Sequence, residues 1–496
     1  MPSSTRHPGV NFQKAPPLLS GPIRTMERIH SLELILVTLV ALNLGFLPWA
    51  FGGVDVWSQL ASAGLALGAI VVALLPRLPV DGAVVHLERW PRLRRFPVFW
   101  AGLVLFAYMI VQALNPAFDY QSEGTTWWLV PLDHAGWLPA GMRVPFDDMS
   151  IWRSLVIWGS CWLTVCALWT GITHRRSILW LLMALSVNAF VFAAFGLVQR
   201  ASGTVEVYWT RPVGFPYFFA AIIYKNHASA FFGLLAFVTI GLTIRAFWQS
   251  RRHRERSNPG IILLLFALIL MLAIALSFSF SGMILFGAGL LLVMPVTLWR
   301  YAKAFPRSRS RIPVLLTVSL LLLLTAGLGA ASGYADLRDK VHALMAGDGR
   351  HSARERWLAA RGGWKMFEDR WATGWGAGCF RYGFTKYQHE EPELTRWRQL
   401  RLRWEHVHDD WLELLIEFGV IGSLPVVFMM AYWFRQIVRL HLWRKPAICP
   451  ILCGLGILCL NGLFDFPFHN PAVAATAGAL LPLITRWGEL DESTSA

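Results

Sequence analysis

Cysteines, acidic residues and nucleotide-binding motifs are all scarce in this chain, and each scarcity removes a class of function. Six cysteines occur in 496 residues; Cys161, Cys166, Cys449, Cys453 and Cys459 lie in apolar runs, and Cys379 stands alone in a polar one. No external disulfide framework can be built from them, and no CxxC spacing offers a metal knuckle. Asp and Glu number 30 against 45 Lys and Arg. A glycine-rich phosphate loop, a Walker motif and a dinucleotide fingerprint are all missing, which argues against ATP-driven transport by this chain alone.

What is abundant is apolar sequence. Hydrophobic residues make up 55% of the chain and Trp alone occurs 25 times. They cluster in runs of about 20 residues, the length that crosses roughly 30 Å of hydrocarbon as a helix. Twelve spans are expected: 31–51, 56–76, 96–114, 151–172, 177–198, 226–248, 260–278, 282–299, 312–332, 411–434, 446–463 and 471–487. The long stretch 260–299 is divided at Ser277–Gly282, where small polar residues permit a turn. No Ala-x-Ala-type site follows the first span, so it reads as a retained helix and not a signal peptide. The fold class is therefore an all-α polytopic membrane protein with about twelve transmembrane helices.

Charge orients it. With the N-terminus in the cytoplasm, the internal loops 77–95, 173–176, 245–259, 300–311 and 435–445 carry 21 Lys and Arg. The short external connections carry only Arg143, Arg200, Arg211 and Lys225. The positive-inside rule favours this arrangement, with both termini inside. The net charge of +15 is thus explained by membrane anchoring, and nucleic acid is not an expected partner. The expected organisation is a cytoplasmic tail 1–30, helices one to nine over 31–332, a large periplasmic loop 333–410, helices ten to twelve over 411–487, and a cytoplasmic tail 488–496. Trp127, Trp128 and Trp137 in the 115–150 connection fit an interfacial belt or a re-entrant segment.

The large loop breaks the charge rule, with fourteen Lys and Arg between 333 and 410. Loops of this length escape the insertion bias. Their charge fits either a solvated face or lipid contact, or a site for an anionic group that guanidinium can grip with two hydrogen bonds. The loop ends in His406-Val407-His408-Asp409-Asp410, which runs directly into the apolar helix from Trp411. Two histidines and two carboxylates at a membrane surface suit acid/base chemistry on a substrate presented at the bilayer.

Four segments then carry a family resemblance. Ser352 to Phe380 reads SARERWLAARGGWKMFEDRWATGWGAGCF, and from His408 the chain reads HDDWLELLIEFGVIG. Arg211-Pro212-Val213-Gly214-Phe215 is followed by Tyr224-Lys225-Asn226-His227-Ala228, and Asp465-Phe466-Pro467-Phe468-His469 precedes the last span. In this order, and on twelve spans with the large loop between the ninth and tenth, they resemble the O-antigen ligase/polymerase family over roughly 195–487. Two departures stand out. Ser279-Phe280-Ser281-Gly282 lacks an arginine many members carry there, and Arg370-Trp371 replaces a usual proline.

The resemblance implies a GT-C-like helical fold in the bacterial inner membrane and an inverting, metal-independent glycosyl transfer at the periplasmic face. The donor would be a glycan on undecaprenyl diphosphate, the acceptor hydroxyl would belong to a glycan or a lipid A-core-like molecule, and no cofactor is implied. Such a reaction needs cations for the departing diphosphate and a base for the hydroxyl. His408 is the expected base, at the start of the tenth helix, where the helix dipole disfavours the imidazolium. Arg211 and Arg354 are the expected diphosphate contacts. Arg356, Lys225, Asn226, His227, Asp409, His406, Asp465 and His469 are expected around the substrate, with no metal. A His406/His408/Asp409 metal site is the sharper rival. A lipid-linked-glycan flippase and a non-enzymatic envelope scaffold are the readings from other classes, and ligase, polymerase and protein O-glycosylation share the motifs. The lack of paired Arg-x10-Gly repeats favours ligase.

Overall fold

The computed structural model describes residues 29–77, 89–124, 126–213, 218–253, 258–304, 349–395 and 404–493. The expected ninth span, 312–332, most of the N-terminal tail and parts of the large loop lie outside these residues. The other eleven expected spans are each helical.

In chain order the helices are α1 (Ser31–Trp49), α2 (Val56–Leu74), the short α3 (Arg89–Arg94), α4 (Pro97–Leu114), α5 (Ile151–Gly171), α6 (Arg175–Ala201), α7 (Lys225–His253), α8 (Gly260–Leu276) and α9 (Phe280–Ala304). The large loop adds α10 (Gly349–Asp369), α11 (Phe380–Gln388) and α12 (Pro392–Thr395), and α13 (Asp410–Arg439), α14 (Ile448–Asn461) and α15 (Pro471–Ser493) complete the chain. Eight of these are long and apolar enough to cross a membrane, and α8 and α14 are shorter apolar helices. The protein is an all-α polytopic membrane protein. The break between α8 and α9 falls at Phe278, whose φ of 55° ends the first helix, and the Ser279 hydroxyl accepts from the Gly282 amide at 3.3 Å as the second begins.

Packing follows the apolar faces. α2 lies on α5 and α1, α7 on α8 and α14, and α15 crosses α5, α6 and α7. A continuous core, including Leu36, Leu185, Phe192, Phe232 and Leu480, runs through this bundle. A second core joins the bundle to the helices of the large loop: Leu358, Ala359 and Met366 of α10 and Phe384 of α11 pack with Met109 of α4 and Ile416 of α13. Gly363 makes the close approach possible, since a methyl group there would meet Val407 at 2.8 Å.

The 115–150 connection is not a re-entrant segment. It folds as β1 (Pro116–Glu123), β2 (Thr126–Pro131) and β3 (Gly141–Arg143), with β1 antiparallel to β2 and parallel to β3. Aromatic and β-branched residues flank Gly124, whose φ of 61° suits the hairpin turn. Trp127 stacks on Tyr120 at 5.7 Å, so it serves the sheet, while Trp137 is 82% exposed.

α13 breaks at Gly419 (φ 62°, ψ −177°). The amides of Trp375 and Gly376 donate to the freed carbonyls of Ile416 and Glu417, both at 2.9 Å, and Val420 N–H donates to the Trp371 carbonyl at 2.8 Å. Tyr108 Oη from α4 donates to the Phe418 carbonyl at 2.9 Å. An interruption inside a membrane helix is tolerated where neighbouring groups re-satisfy its backbone, and here the loop 371–376 does so.

Candidate functional site

Three segments far apart in sequence meet at one end of the bundle: Tyr224–His227 opening α7, Trp404–Asp410 leading into α13, and the turn Asp465–His469 before α15. Phe466 is their shared surface. Its ring contacts those of Tyr224 (5.1 Å), His227 (4.9 Å), His406 (4.3 Å) and His408 (4.8 Å).

His408 does not begin the helix. Asp409 is the N-cap, its Oδ1 accepting from the amides of Trp411 and Leu412 at 3.0 Å each, and Asp410 is the first helical residue. His408 precedes them with a left-handed φ of 62°, a conformation that costs energy and turns the ring away from the helix axis. Its Nδ1 is buried, lacks a hydrogen-bond partner among the described residues, and lies 3.6 Å from Asp465 Oδ1. Asp465 is 1% exposed. It accepts from Asn226 Nδ2 and from its neighbour's amide, Phe466 N–H, at 3.0 Å. Burial opposes its charge, but His408 and the Arg356 charge hold its pKa below the usual carboxylate range. Burial and the Asp465 charge push the Tyr224 hydroxyl up. His227 Nε2 meets the Phe466 carbonyl at 3.0 Å; a carbonyl only accepts, so Nε2 carries the proton.

Beside this pair runs a second chain of polar groups. His469 Nδ1 lies 2.7 Å from Asp410 Oδ1, and its Nε2 lies 3.2 Å from Glu413 Oε1. Both ring nitrogens face carboxylates, an arrangement that favours the imidazolium. Burial works against that charge, yet Glu413 and the bond to Asp410 hold its pKa well above the ordinary value. His406 Nδ1 lies 2.8 Å from the same Glu413 oxygen, while its Nε2 accepts from Arg381 Nη2 at 3.2 Å. Arginine has no acceptor, so His406 is neutral with its proton on Nδ1. Burial, partly offset by Glu413, brings its pKa down to about 3. Burial also raises Asp409, against its two amide bonds.

His406, Glu413 and His469 bring possible ligand atoms within 4.8 Å of one another, the trio here best spaced to hold an ion. It differs from the His406/His408/Asp409 set of the rival reading. Binding an ion would require His469 to leave its carboxylates and His406 to leave Glu413 or Arg381, since each nitrogen named is already engaged.

The expected arginines divide. Arg356 Nη1 donates to the Phe464 carbonyl at 2.9 Å, which brings it to the edge of the cluster. Arg354, two residues earlier on α10, pairs with Glu393 at 2.7 Å and is largely exposed. Arg211 grips Asp55 through two bonds of 2.7 and 3.2 Å and lies 4.2 Å over the Phe51 ring, so it belongs to the α1–α2 turn. Lys225 opens α7 beside Asn226. Glu413, Arg381, Tyr224 and Phe466 were not expected as site residues, and Asp410 was expected only as part of the polar run before the helix. The acids had a signal: Asp410, Glu413 and Glu417 at i, i+3 and i+7 lie on one face of an otherwise apolar helix, and ionisable groups in such a helix mark function.

Asp410, Glu417 and His469 also form the polar end of a cavity of about 350 Å³ between α4, α5, α13, α14 and α15. Leu105, Trp158, Trp162, Phe418 and Trp433 line its apolar body.

Residues 262–427 match the family model described as O-antigen ligase. The matched range holds α10 and the His406–Glu413 segment, whereas Tyr224–His227 and Asp465–His469 lie outside it. No curated protein matches the chain.

Proposed function

We propose that this O-antigen ligase-like chain transfers a glycan from undecaprenyl diphosphate to an acceptor hydroxyl at the external face of a bacterial inner membrane. The observation that carries the reading is the difference between its two loop histidines. His406 has both ring nitrogens committed, to Glu413 and Arg381, and cannot take a substrate proton without breaking one of those bonds. His408 sits at the cluster edge with Nδ1 towards Asp465, which leaves Nε2 for the acceptor.

In this mechanism the acceptor oxygen attacks the anomeric carbon as its proton passes to His408 Nε2. The bond from that carbon to the diphosphate oxygen breaks on the opposite face, so configuration inverts in one step. The imidazolium formed is balanced by Asp465, a contact that tightens from 3.6 Å as charge develops. Arg356, at the edge of the cluster, is the cation assigned to the departing diphosphate, with Lys225 at the start of α7 as the second. Arg211 and Arg354 take part if the diphosphate exchanges places with Asp55 and Glu393. His227, Asn226 and Asp409 fix the walls of the site, and the His406–Glu413–His469–Asp410 chain holds the floor without a metal. The apolar cavity suits the first isoprene units of the donor lipid. Residues 333–410 are then the periplasmic catalytic loop and both termini are cytoplasmic. A glycan or lipid A-core-like acceptor makes the enzyme a ligase, and a growing chain end would make it a polymerase.

The test uses purified protein with a lipid-linked glycan and an acceptor. Release of undecaprenyl diphosphate together with the joined product is expected, and neither a flippase nor a scaffold would give it. His408→Ala should leave insertion intact and lower turnover roughly 10²–10⁴-fold. Near-normal turnover in that variant would end the assignment.

A further inference from the structure

The end of the bundle away from the histidines holds an unusual group of arginines. His469 lies just before α15, and Arg486 lies about 22 Å of helix rise beyond Pro471, so the two groups sit at opposite ends of the bundle. There, α3 and the last turns of α15 enclose a cleft of about 310 Å³ lined by Arg92, Arg95, Trp169, Arg486 and Glu489. Arg89 lies behind it, 4% exposed.

These cations are poorly matched. Arg89 spends Nη1 on the Thr170 carbonyl at 3.0 Å, and its Nε and Nη2 are buried without a partner among the described residues. Arg92 Nη2 and Arg486 Nε are buried and unpartnered in the same way. The nearby carboxylates already have partners. Glu33 takes Arg77 at 2.8 Å and His174 at 2.9 Å, and Glu489 takes Arg486 and, at 3.2 Å, Arg439. Arg92 instead lies 5.9 Å over the Trp169 ring. Burial, then the Arg486 charge, pushes its pKa down to about 9, and burial, then the Arg77 charge, brings Arg89 to about 10. Simple positive-inside anchors sit in water, as the exposed Arg94 does. Buried guanidinium groups with free donors are instead short of an anion.

We propose that this cleft binds a phosphate-bearing anion, taken up as the headgroup phosphodiester of an anionic phospholipid. The lipid source is favoured by the surroundings. Trp90 and Trp100 are about half exposed and Trp100 Nε1 donates to the Arg94 carbonyl at 2.8 Å, the amphipathic placement of residues in the headgroup layer. Guanidinium fits a phosphodiester with paired hydrogen bonds where a water molecule could satisfy only one donor at a time. The site is independent of the chemistry at the other end of the molecule.

The experiment places the full-length protein in phosphatidylcholine nanodiscs and titrates in phosphatidylglycerol, or adds inorganic phosphate to the buffer. Thermal unfolding and lipid adducts in native mass spectra are the readouts. Phosphatidylglycerol should raise the unfolding midpoint by several degrees. Arg92→Gln should weaken the effect at least tenfold, and Glu489→Gln, which removes the cleft's carboxylate, should strengthen it. If Arg92→Gln does not fold, Glu489→Gln alone decides. A matching response to inorganic phosphate, sensitive to the same variants, would keep the site and make its ligand a soluble anion. Phosphatidylglycerol binding unchanged in every folded variant would overturn the proposal.

Discussion

Glu413 serves two rings at once, and the two are held in opposite protonation states 4.5 Å apart. The consequence is a stability profile with two limbs. His406 titrates near 3 in the folded protein against roughly 6.5 when unfolded. Its contribution is therefore present above about pH 6.5 and is lost as pH falls towards 3. His469 is shifted the other way, so its contribution is present below about pH 6.5 and is lost as pH rises through its raised value. Thermal melts across pH should show a maximum near neutrality. His406→Gln should flatten the acid limb and His469→Gln the alkaline one; a variant that moved the opposite limb would refute the assigned charges. The arginines offer a second test at this scale. Arg356→Lys should cost more turnover than Arg354→Lys, because Arg356 reaches the cluster and Arg354 is occupied by Glu393. An ammonium cannot make the two-pronged contact with a diphosphate. If the losses appear in kcat, the contact strengthens as the leaving group separates; if in KM, it holds the ground state.

Among elements, α13 departs most from what its sequence suggests. The stretch 411–434 reads as one apolar helix with a glycine in it, and the break at Gly419 depends on a partner some 45 residues earlier in the chain. A methyl group at Gly419 would meet Ala372, and one at Gly374 would meet the Glu417 carbonyl; both residues have positive φ. Gly419→Ala should therefore cost about 1–3 kcal/mol through backbone strain alone, read as a lower unfolding midpoint with the helix content largely kept. The helical spans themselves were legible because hydrocarbon thickness fixes their length. The sheet in 115–150 was not, since its strands are short and half-exposed and their pairing is settled by Tyr382 and Trp375 of the distant loop. His408, His406, Asp465 and His469 were legible as a set through the family motifs. Their division of labour was not, because it turns on Arg381 and Glu413, whose importance lies in contacts across the fold.

For the whole molecule, the site is a seam between the helices of the large loop and the bundle, stabilised by hydrogen bonds and packing. Exhaustive EDTA treatment should leave transfer intact. Loss on chelation with recovery on adding Zn²⁺ or Mg²⁺ would return His406, Glu413 and His469 to the role of ligands. The interruption in α13 also sets what the bilayer can do to the enzyme. Asp410–Phe418 is packed to α10 and laced to residues 371–376, while beyond Gly419 the helix is tied to that loop through the Val420 and Ile421 amides and then packs on the bundle through Trp433. A membrane of different thickness changes helix tilt, and the expected role of the break is to act as a gimbal that absorbs the change before it reaches the histidines. Turnover in nanodiscs of increasing acyl length should stay nearly level in the native protein and acquire a sharp optimum in Gly419→Ala, the variant in which tilt is passed on to the chemistry.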